Sequence, residues 1–226
     1  MSYEWRFDLV LRGASFLLSG LGVTALICAI AFVLAAILGG FVAAARLCGV
    51  RAIAAVAQAY VDIIRSTPLL IQLIWLFYAL PILSGLPLSR GATSVLALTL
   101  YGGAYLGEVF RAGVNAVPEG QFEAACAVGL TRVQAWRRII APQALVRVIP
   151  PATSTLITMI KESALLSVIG TPELTFQMLS LNTTTFRSLE IFAVGSALYF
   201  ALNYPIALAA EYVYRRKRVD FGLQRI

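Results

Sequence analysis

Residues 13–45 read GASFLLSGLGVTALICAIAFVLAAILGGFVAAA, 33 residues without a charged side chain. The hydrocarbon core of a bilayer takes about 20 apolar residues of helix. This run is longer than that, so it predicts a spanning helix that tilts or projects beyond the lipid. It is also too long for the apolar segment of a cleavable signal peptide. The preceding MSYEWRFDLVLRG has no clearly basic start, so no cleavage is expected. The composition agrees: of 226 residues, 60% are hydrophobic and 13% charged, and the mean hydropathy is +0.84. Soluble domains carry about 25% charged residues and about 45–50% apolar ones. A chain this apolar cannot cover a water-facing surface. That excludes a soluble enzyme, a disordered regulator and a disulfide-rich secreted domain.

Outward from this run, further apolar stretches follow. Arg46 and Arg51 bracket a short loop, and a second stretch runs from Ala52 to about Ile82, interrupted by Asp62, Arg65 and Pro68. Gly85, Pro87 and Gly91 mark the next loop, and a third stretch covers Ala92 to about Val114, with Glu108 and Arg111 near its end. A fourth spans Leu145 to Ile160 and contains Pro150 and Pro151; residues 171–190 form a polar loop; a last span covers Ile191 to Ala210 and stops at Glu211 and the basic run Arg215, Arg216, Lys217 and Arg218. Pro118–Ala141 carries Glu119, Glu123, Arg132, Arg137 and Arg138, too many charges to cross lipid. The expected fold is an all-α membrane protein of five transmembrane helices forming one transmembrane domain, residues 1–226.

Five spans put the termini on opposite sides, and the basic residues choose the orientation. With the C-terminus cytoplasmic, the inner side holds Arg46, Arg51, Arg111, Arg132, Arg137, Arg138, Arg147, Arg215, Arg216, Lys217, Arg218 and Arg225. The outer side holds Arg6, Arg12, Arg90 and Arg187. Twelve against four follows the positive-inside rule, so the N-terminus is expected outside. The net charge of +7 then reflects basic cytoplasmic loops rather than nucleic-acid binding.

Several residue types are missing. There is no His, the commonest general base. Cys28, Cys48 and Cys126 are odd in number and show no C-x-x-C spacing, so neither a zinc site nor a disulfide framework is expected. Lys161 and Lys217 do not close a phosphate-binding G-x-x-x-x-G-K-[ST] loop. No catalytic residue, no metal and no cofactor of its own are expected of this chain.

The charged loop about 118–141 is the most informative part. Pro118 suits a first helical position and Glu119 the first turn. Phe122, Ala125 and Cys126 share a face at helical spacing. Gly129 suits a left-handed stop, and Thr131 with Gln134 reads as a capping box. A second short helix follows, with Val133, Trp136 and Ile140 on one side. Pro142 is expected to prevent smooth continuation into the next span. Two readings stand from the residues alone: a helical hairpin on the lipid headgroups, or a helix that docks in a groove of a soluble partner.

The residues themselves resemble a known family. Glu123-Ala124-Ala125, Gly129 and Ile139-Ile140-Ala141-Pro142 are similar to the EAA loop of ABC importer permease subunits. Ala104-Tyr105-Leu106-Gly107-Glu108-Val109-Phe110-Arg111 leads into it. Lys161-Glu162-Ser163 and Leu165-Leu166-Ser167-Val168-Ile169 follow, and Arg65-Ser66-Thr67-Pro68-Leu69-Leu70-Ile71-Gln72 stands upstream. Together these resemble the polar amino acid branch, the histidine, arginine, glutamine and glutamate permeases. The likeness covers roughly Ala52 to Leu174. Two departures stand out: Lys161-Glu162-Ser163-Ala164-Leu165 where the family has Lys-Asp-[Thr/Ser]-Ser-Leu, and Gly107-Glu108 where it has Ala-Glu.

The resemblance implies a type I importer permease fold, with the loop as a coupling helix seated on a separate ATP-binding subunit. In that reading Glu123, Ala124 and Ala125 form the docking helix. Gly129 supplies the turn, Glu123 a polar contact, and Phe122 and Trp136 apolar anchoring. ATP and Mg belong to a dimer of the partner ATPase. A second permease subunit, identical or related, and an external amino-acid-binding protein complete the expected assembly, in a bacterial inner membrane.

Charges inside the bilayer are costly and tolerated where they face a cavity or a partner. A zwitterionic amino acid needs cations for its carboxylate and acceptors for its ammonium. Lys161 and Arg65 are candidates for the first role; Glu162, Ser66 and Thr67 for the second; Ser163 and Glu108 complete the set. Pairing among these charges is the competing reading: Asp62 with Arg65 and Glu108 with Arg111 stand at helical i, i+3 spacing. Pro150-Pro151 predicts a kink or a hinge. The expected function is a permease subunit importing a polar or charged L-amino acid by alternating access. The rival is an ion-coupled secondary transporter or channel without an ATPase, with Lys161, Glu162 and Glu108 as its relay.

Overall fold

The computed structural model of the chain describes residues 3–85 and 87–220. Arg225, counted above among the inner basic residues, lies outside them, as do the first two residues of the N-terminal stretch. Among the described residues every regular element is helical: α1 (Phe7–Arg12), α2 (Ala14–Leu47), α3 (Arg51–Ser66), α4 (Leu69–Ile74), α5 (Leu80–Ser84), α6 (Arg90–Asn115), α7 (Glu119–Ala127), α8 (Arg132–Ala135), α9 (Ala141–Glu162), α10 (Leu174–Thr185) and α11 (Ser188–Asp220). Single π turns, Trp75–Ala79 and Trp136–Ile140, join α4 to α5 and α8 to α9, and a 3₁₀ segment, Ser163–Ile169, follows α9.

The uncharged run becomes α2, 34 residues and so about 51 Å long at the helical rise. Three helical runs among the described residues are long and apolar enough to cross a membrane: α2, Arg132–Ile169 and Ser188–Arg218. The pair Arg51–Ser66 and Leu69–Ser84, bent by 105°, makes up to four. The third expected span, α6, has the length, with 26 residues, but is less apolar. The reason is its place in the bundle. Thr93, Ser94, Ala97, Gly102, Gly103, Ala104 and Gly107 are buried against neighbouring helices rather than facing lipid.

Helix α6 runs parallel to α2 and antiparallel to α9. A Cβ built on Gly102 would stand 2.9 Å from Ala35, and one on Gly39 would stand 2.8 Å from the Gly107 nitrogen. On the other side Gly102 meets Met159 and Gly113 meets Val148. α2 and α6 therefore point the same way and α9 the opposite way, the directions that alternate crossings require. The main core joins α2, α4, α6, α9 and the 3₁₀ segment through Cys28, Ala31, Leu73, Leu98, Leu106, Met159 and Leu166. We call the end bearing residues 118–141 the loop end and the opposite one the far end.

Four local expectations are corrected. Pro142 does not interrupt the chain: α8, the π turn and α9 form one continuous helical run, Arg132–Ile169. The π turn Trp136–Ile140 lies directly upstream of Pro142, which occupies the first turn of α9. A π turn changes the hydrogen-bond register, and this shift lets the run continue past a proline that has no amide to donate. Residues 171–190 are not simply a loop but hold α10, begun by Glu173. The last helix does not stop at Glu211 but continues to Asp220, with Arg215 bonded to Glu211 one turn back. In the 118–141 segment, Cys126 and Val133 are exposed, while the inward positions are Ala125, Ala135 and Ile140.

The far end is fastened by buried polar groups. The Glu173 carboxylate accepts from the Thr175 amide (2.9 Å), the Phe176 amide (2.7 Å) and the Tyr199 hydroxyl (3.2 Å), tying the start of α10 to α11. Thr24 of α2 accepts from the Leu174 amide at 3.2 Å. Glu173 lies in the connection between α9 and α11, and burial pushes its carboxyl up to about 7, against the downward pull of the two amides. Glu190 is fully buried and accepts from the Tyr3 hydroxyl and the Arg6 amide, holding the N-terminal stretch on α11.

Candidate functional site

The loop 118–141 folds into an elbow that local chemistry specifies. α6 ends at Asn115 and the chain turns through Pro118, which stands at the N-cap of α7, one residue before the position expected for it. At the other end of α7, Gly129 takes φ +86°. Around it the Leu130 amide donates to the Ala125 carbonyl (3.1 Å) and the Gly129 amide to the Cys126 carbonyl (3.0 Å). This pair is the Schellman closure of a helix on a left-handed residue. The next helix starts at once: the Gln134 amide donates to Thr131 Oγ1 (3.3 Å) and the Thr131 amide to Gln134 Oε1 (2.9 Å), a complete capping box.

The elbow is held to the bundle by its inner side. Val117, Ile140 and Ala144 form a small core with Phe122 and Ile139 packed against it. Gln143 of α9 donates to Gln121 of α7 at 3.3 Å. Glu123, Ala124 and Gly129 are exposed on the outer side. Between the end of α6, α7 and the π turn lies a notch of about 620 Å³ lined by Pro118, Glu119, Phe122, Glu123, Trp136 and Ile140 among others. Phe122 and Trp136 therefore stand on the walls of one notch, with Glu123 at its rim.

The intramembrane charges divide into two places. A cavity of about 300 Å³ near the loop end is lined by Arg65, Tyr105, Glu108, Arg147 and Pro151, with small residues between them. The Arg65 guanidinium lies over the Tyr105 ring, 5.2 Å from its centre, a cation–π arrangement. It does not pair with Asp62, which accepts from Gln58 instead (2.7 Å). Glu108 pairs with Arg111 as its spacing suggests and also with Arg46 of α2. That second partner is 62 residues away and invisible to local spacing. Arg147 brings a second guanidinium to the cavity wall, and its Nε is buried without a hydrogen-bond partner. Sequence reasoning counted Arg147 only for orientation. Its signal was available: a lone Arg inside the apolar run of α9.

Lys161, Glu162 and Ser163 lie at the far end of α9 and do not line this cavity. Lys161 is exposed and Glu162 half-buried. Ser163 is fully buried and donates to the Ile160 carbonyl at 2.8 Å, so its hydroxyl closes the helix end. Ser66 and Thr67 stand at the 105° break between α3 and α4. Thr67 is extended (φ −116°, ψ 141°), as a residue before proline must be. Its hydroxyl donates to the Ile63 carbonyl (2.8 Å). Gln72, another residue given no role from sequence, donates to Thr67 Oγ1 (2.8 Å) and the Ile64 carbonyl (2.9 Å), satisfying groups that the break leaves open. No group of three or more His, Cys, Asp or Glu suited to a metal occurs among the described residues.

A helical bundle whose apolar spans are joined at one end by an outward-facing elbow, with a charged cavity just above it, has the architecture of a membrane transport protein. Residues 36–219 match the family described as binding-protein-dependent transport system inner membrane component, and the chain belongs to that family. It is similar to the arginine transport system permease protein ArtQ of Bacillus subtilis (strain 168), with 30% identity over 210 residues, 93% of this chain and 96% of that protein. It is also similar to the putative glutamine transport system permease protein GlnP of Rickettsia conorii (strain ATCC VR-613 / Malish 7), 32% identical over 205 residues, 91% of this chain and 94% of the relative. Among solved structures, a chain of an amino acid ABC transporter crystallised with histidines superposes with a TM-score of 0.88 at 32% identity, covering 95% of this chain and 100% of that one. The all-α permease fold and the family expected from the loop both stand. The chain is a permease subunit and an inner membrane component.

Proposed function

We propose that the chain imports a polar or charged L-amino acid into the cytoplasm by alternating access, driven by a dimer of separate ATP-binding subunits that hold ATP and Mg. The loop end is cytoplasmic, the N-terminus outside and the C-terminus inside. A second permease subunit, identical or related, completes the pathway, and an external binding protein delivers the substrate. Residues 1–226 act as one transmembrane domain, and the chain performs no covalent chemistry. The observation that carries this reading is the elbow: two short helices locked at Gly129, with Glu123 and Ala124 facing outward and Phe122 anchored inward.

The mechanism follows from mechanical continuity. The second arm of the elbow, α8, runs without interruption through the π turn into α9 and on to Ile169. A partner that grips α7 and α8 therefore moves a 38-residue helical run, about 57 Å long at the helical rise, whose far part carries Lys161 and Glu162. ATP binding closes the partner dimer, the elbows move with it, and the pathway opens outward. Energy enters only through the different affinities of the two states for nucleotide and for the loaded binding protein.

Arg65 and Arg147 are the carboxylate-binding candidates on the loop-end cavity. Glu108 is held mainly by Arg46 and Arg111, so its role is positional. Ser66 and Thr67 shape the break in the second span. Lys161 and Glu162 form a separate charged station toward the outside, and Ser163 supports it from behind.

Reconstitution tests the reading. Proteoliposomes carrying this chain with its ATP-binding subunit and binding protein should take up amino acid only when ATP is supplied. Uptake that persists without ATP and follows an imposed ion gradient would overturn the proposal in favour of a secondary transporter.

A further inference from the structure

We propose that the apolar cavity between the loop ends of α2, α6 and α9 is a binding site for an anionic phospholipid of the loop-side leaflet, with an acyl chain in the cavity and the phosphate on Arg137 and Arg138. The proposal rests on the reading that the loop end faces the cytoplasm. The cavity measures about 320 Å³, and every residue lining it is apolar. Its walls include Gly40, Ala44 and Leu47 of α2, Phe110 of α6, Trp136 of the π turn and Leu145 of α9.

The small residues make the space: a Cβ added to Gly40 would meet nothing within 4 Å. The α2 residues from Gly40 to Leu47 are the last two helical turns of a run longer than the bilayer core, so the cavity lies at the loop-end edge of the spanning region, where headgroups meet the upper acyl chains. Trp136, about half exposed, is one of the cavity's walls, and tryptophan is a residue enriched at membrane interfaces.

The charges point to the same occupant. Arg137 and Arg138 follow Trp136 in the same π turn, are exposed, and make no hydrogen bond or ion pair among the described residues. Two exposed arginines in the same turn as Trp136, a wall residue of the apolar cavity, match an anionic headgroup above a hydrocarbon tail.

The test is native mass spectrometry of the permease purified with its ATP-binding subunit, after exchange into phosphatidylglycerol or phosphatidylcholine. Phosphatidylglycerol should remain bound at collision energies that strip phosphatidylcholine. Gly40→Leu, which fills the cavity, should lower that retention at least tenfold. Ala44→Phe blocks the same slot from an exposed position should Gly40→Leu fail to fold. Arg137→Gln with Arg138→Gln should bring phosphatidylglycerol down to the phosphatidylcholine level. Equal retention of the two lipids, or undiminished retention in the filled variants, overturns the proposal. So does loss of a protein subunit from the filled variants with lipid retained, which makes the cavity a protein interface. The lipid count needs no transport, so it is read separately from the uptake experiment.

Discussion

Gly129 concentrates the elbow's geometry in one residue, and replacing it has a calculable cost. With φ at +86°, any side chain at this position is held in the left-handed region. That costs about 1–2 kcal/mol for an L-residue, more for a β-branched one. A Cβ there meets no atom within 4 Å, so no steric clash contributes. If the turn relaxes instead, the two closing hydrogen bonds at Leu130 and Gly129 are lost, each worth about 1 kcal/mol net. Either route costs Gly129→Val about 2 kcal/mol, which lowers the population of the docking geometry about 30-fold relative to alternatives. The assay is recovery of the ATP-binding subunit on the tagged permease, together with ATP-driven uptake. Both should fall at least tenfold in Gly129→Val and less in Gly129→Ala. Gly120→Ala is the control: Gly120 lies within α7, and a Cβ there also meets open space, so it should be neutral or slightly stabilising. Wild-type recovery and uptake in Gly129→Val would refute the reasoning.

Three further outcomes are expected. Gly39→Leu should lower the thermal midpoint in detergent, because its Cβ would stand 2.8 Å from the Gly107 backbone nitrogen, which cannot swing aside; overpacking of this kind costs about 1–3 kcal/mol, whereas Gly40→Ala, one residue on and open, should not. A double-mutant cycle between Arg46→Gln and Glu108→Gln should give a coupling energy of about 1 kcal/mol, since the pair is partly exposed; a value near zero means that Arg111 alone holds the carboxylate. For Glu173 the folded carboxyl titrates near 7 rather than in its usual range near 4.5. The neutral form is the one the fold favours, so this group's contribution is complete below about 4.5, declines as pH rises to about 7 and is constant above. The thermal midpoint of wild type minus that of Glu173→Gln should fall across that window; a difference that does not change with pH removes Glu173 as its cause.

What was legible in the sequence was local. The uncharged run 13–45, the glycine stop at Gly129 and the Thr131–Gln134 box act within one turn of their own positions, and each appears where the residues put it. The family resemblance likewise rested on short segments, between Ala52 and Leu174, and the family match covers residues 36–219. What failed to show depended on partners distant in sequence or on register. Arg46 reaches Glu108 only because α2 and α6 lie side by side. α6 falls short in apolarity because neighbouring helices, not lipid, surround it. Pro142 looks like a break until the π turn before it shifts the hydrogen-bond register and the helical run continues. α10 hides in a polar stretch because its start depends on Glu173, a carboxylate whose capping role requires burial against α11. Gly107, a departure from the family pattern, has a reason in packing: a Cβ there would lie 2.7 Å from Val42.

The central claim is that α7 rests on the ATP-binding subunit, and Cys126 gives direct access to it. This thiol is native, unpaired and exposed on α7; Cys48, the other exposed cysteine, lies beyond the end of α2 and is replaced by Ser for the measurement. A short thiol-to-amine crosslinker added to the co-expressed complex should join Cys126 to the ATP-binding subunit, and nucleotide should change the yield. Crosslinking to lipid amines alone, with the ATP-binding subunit present and never captured, would contradict the account.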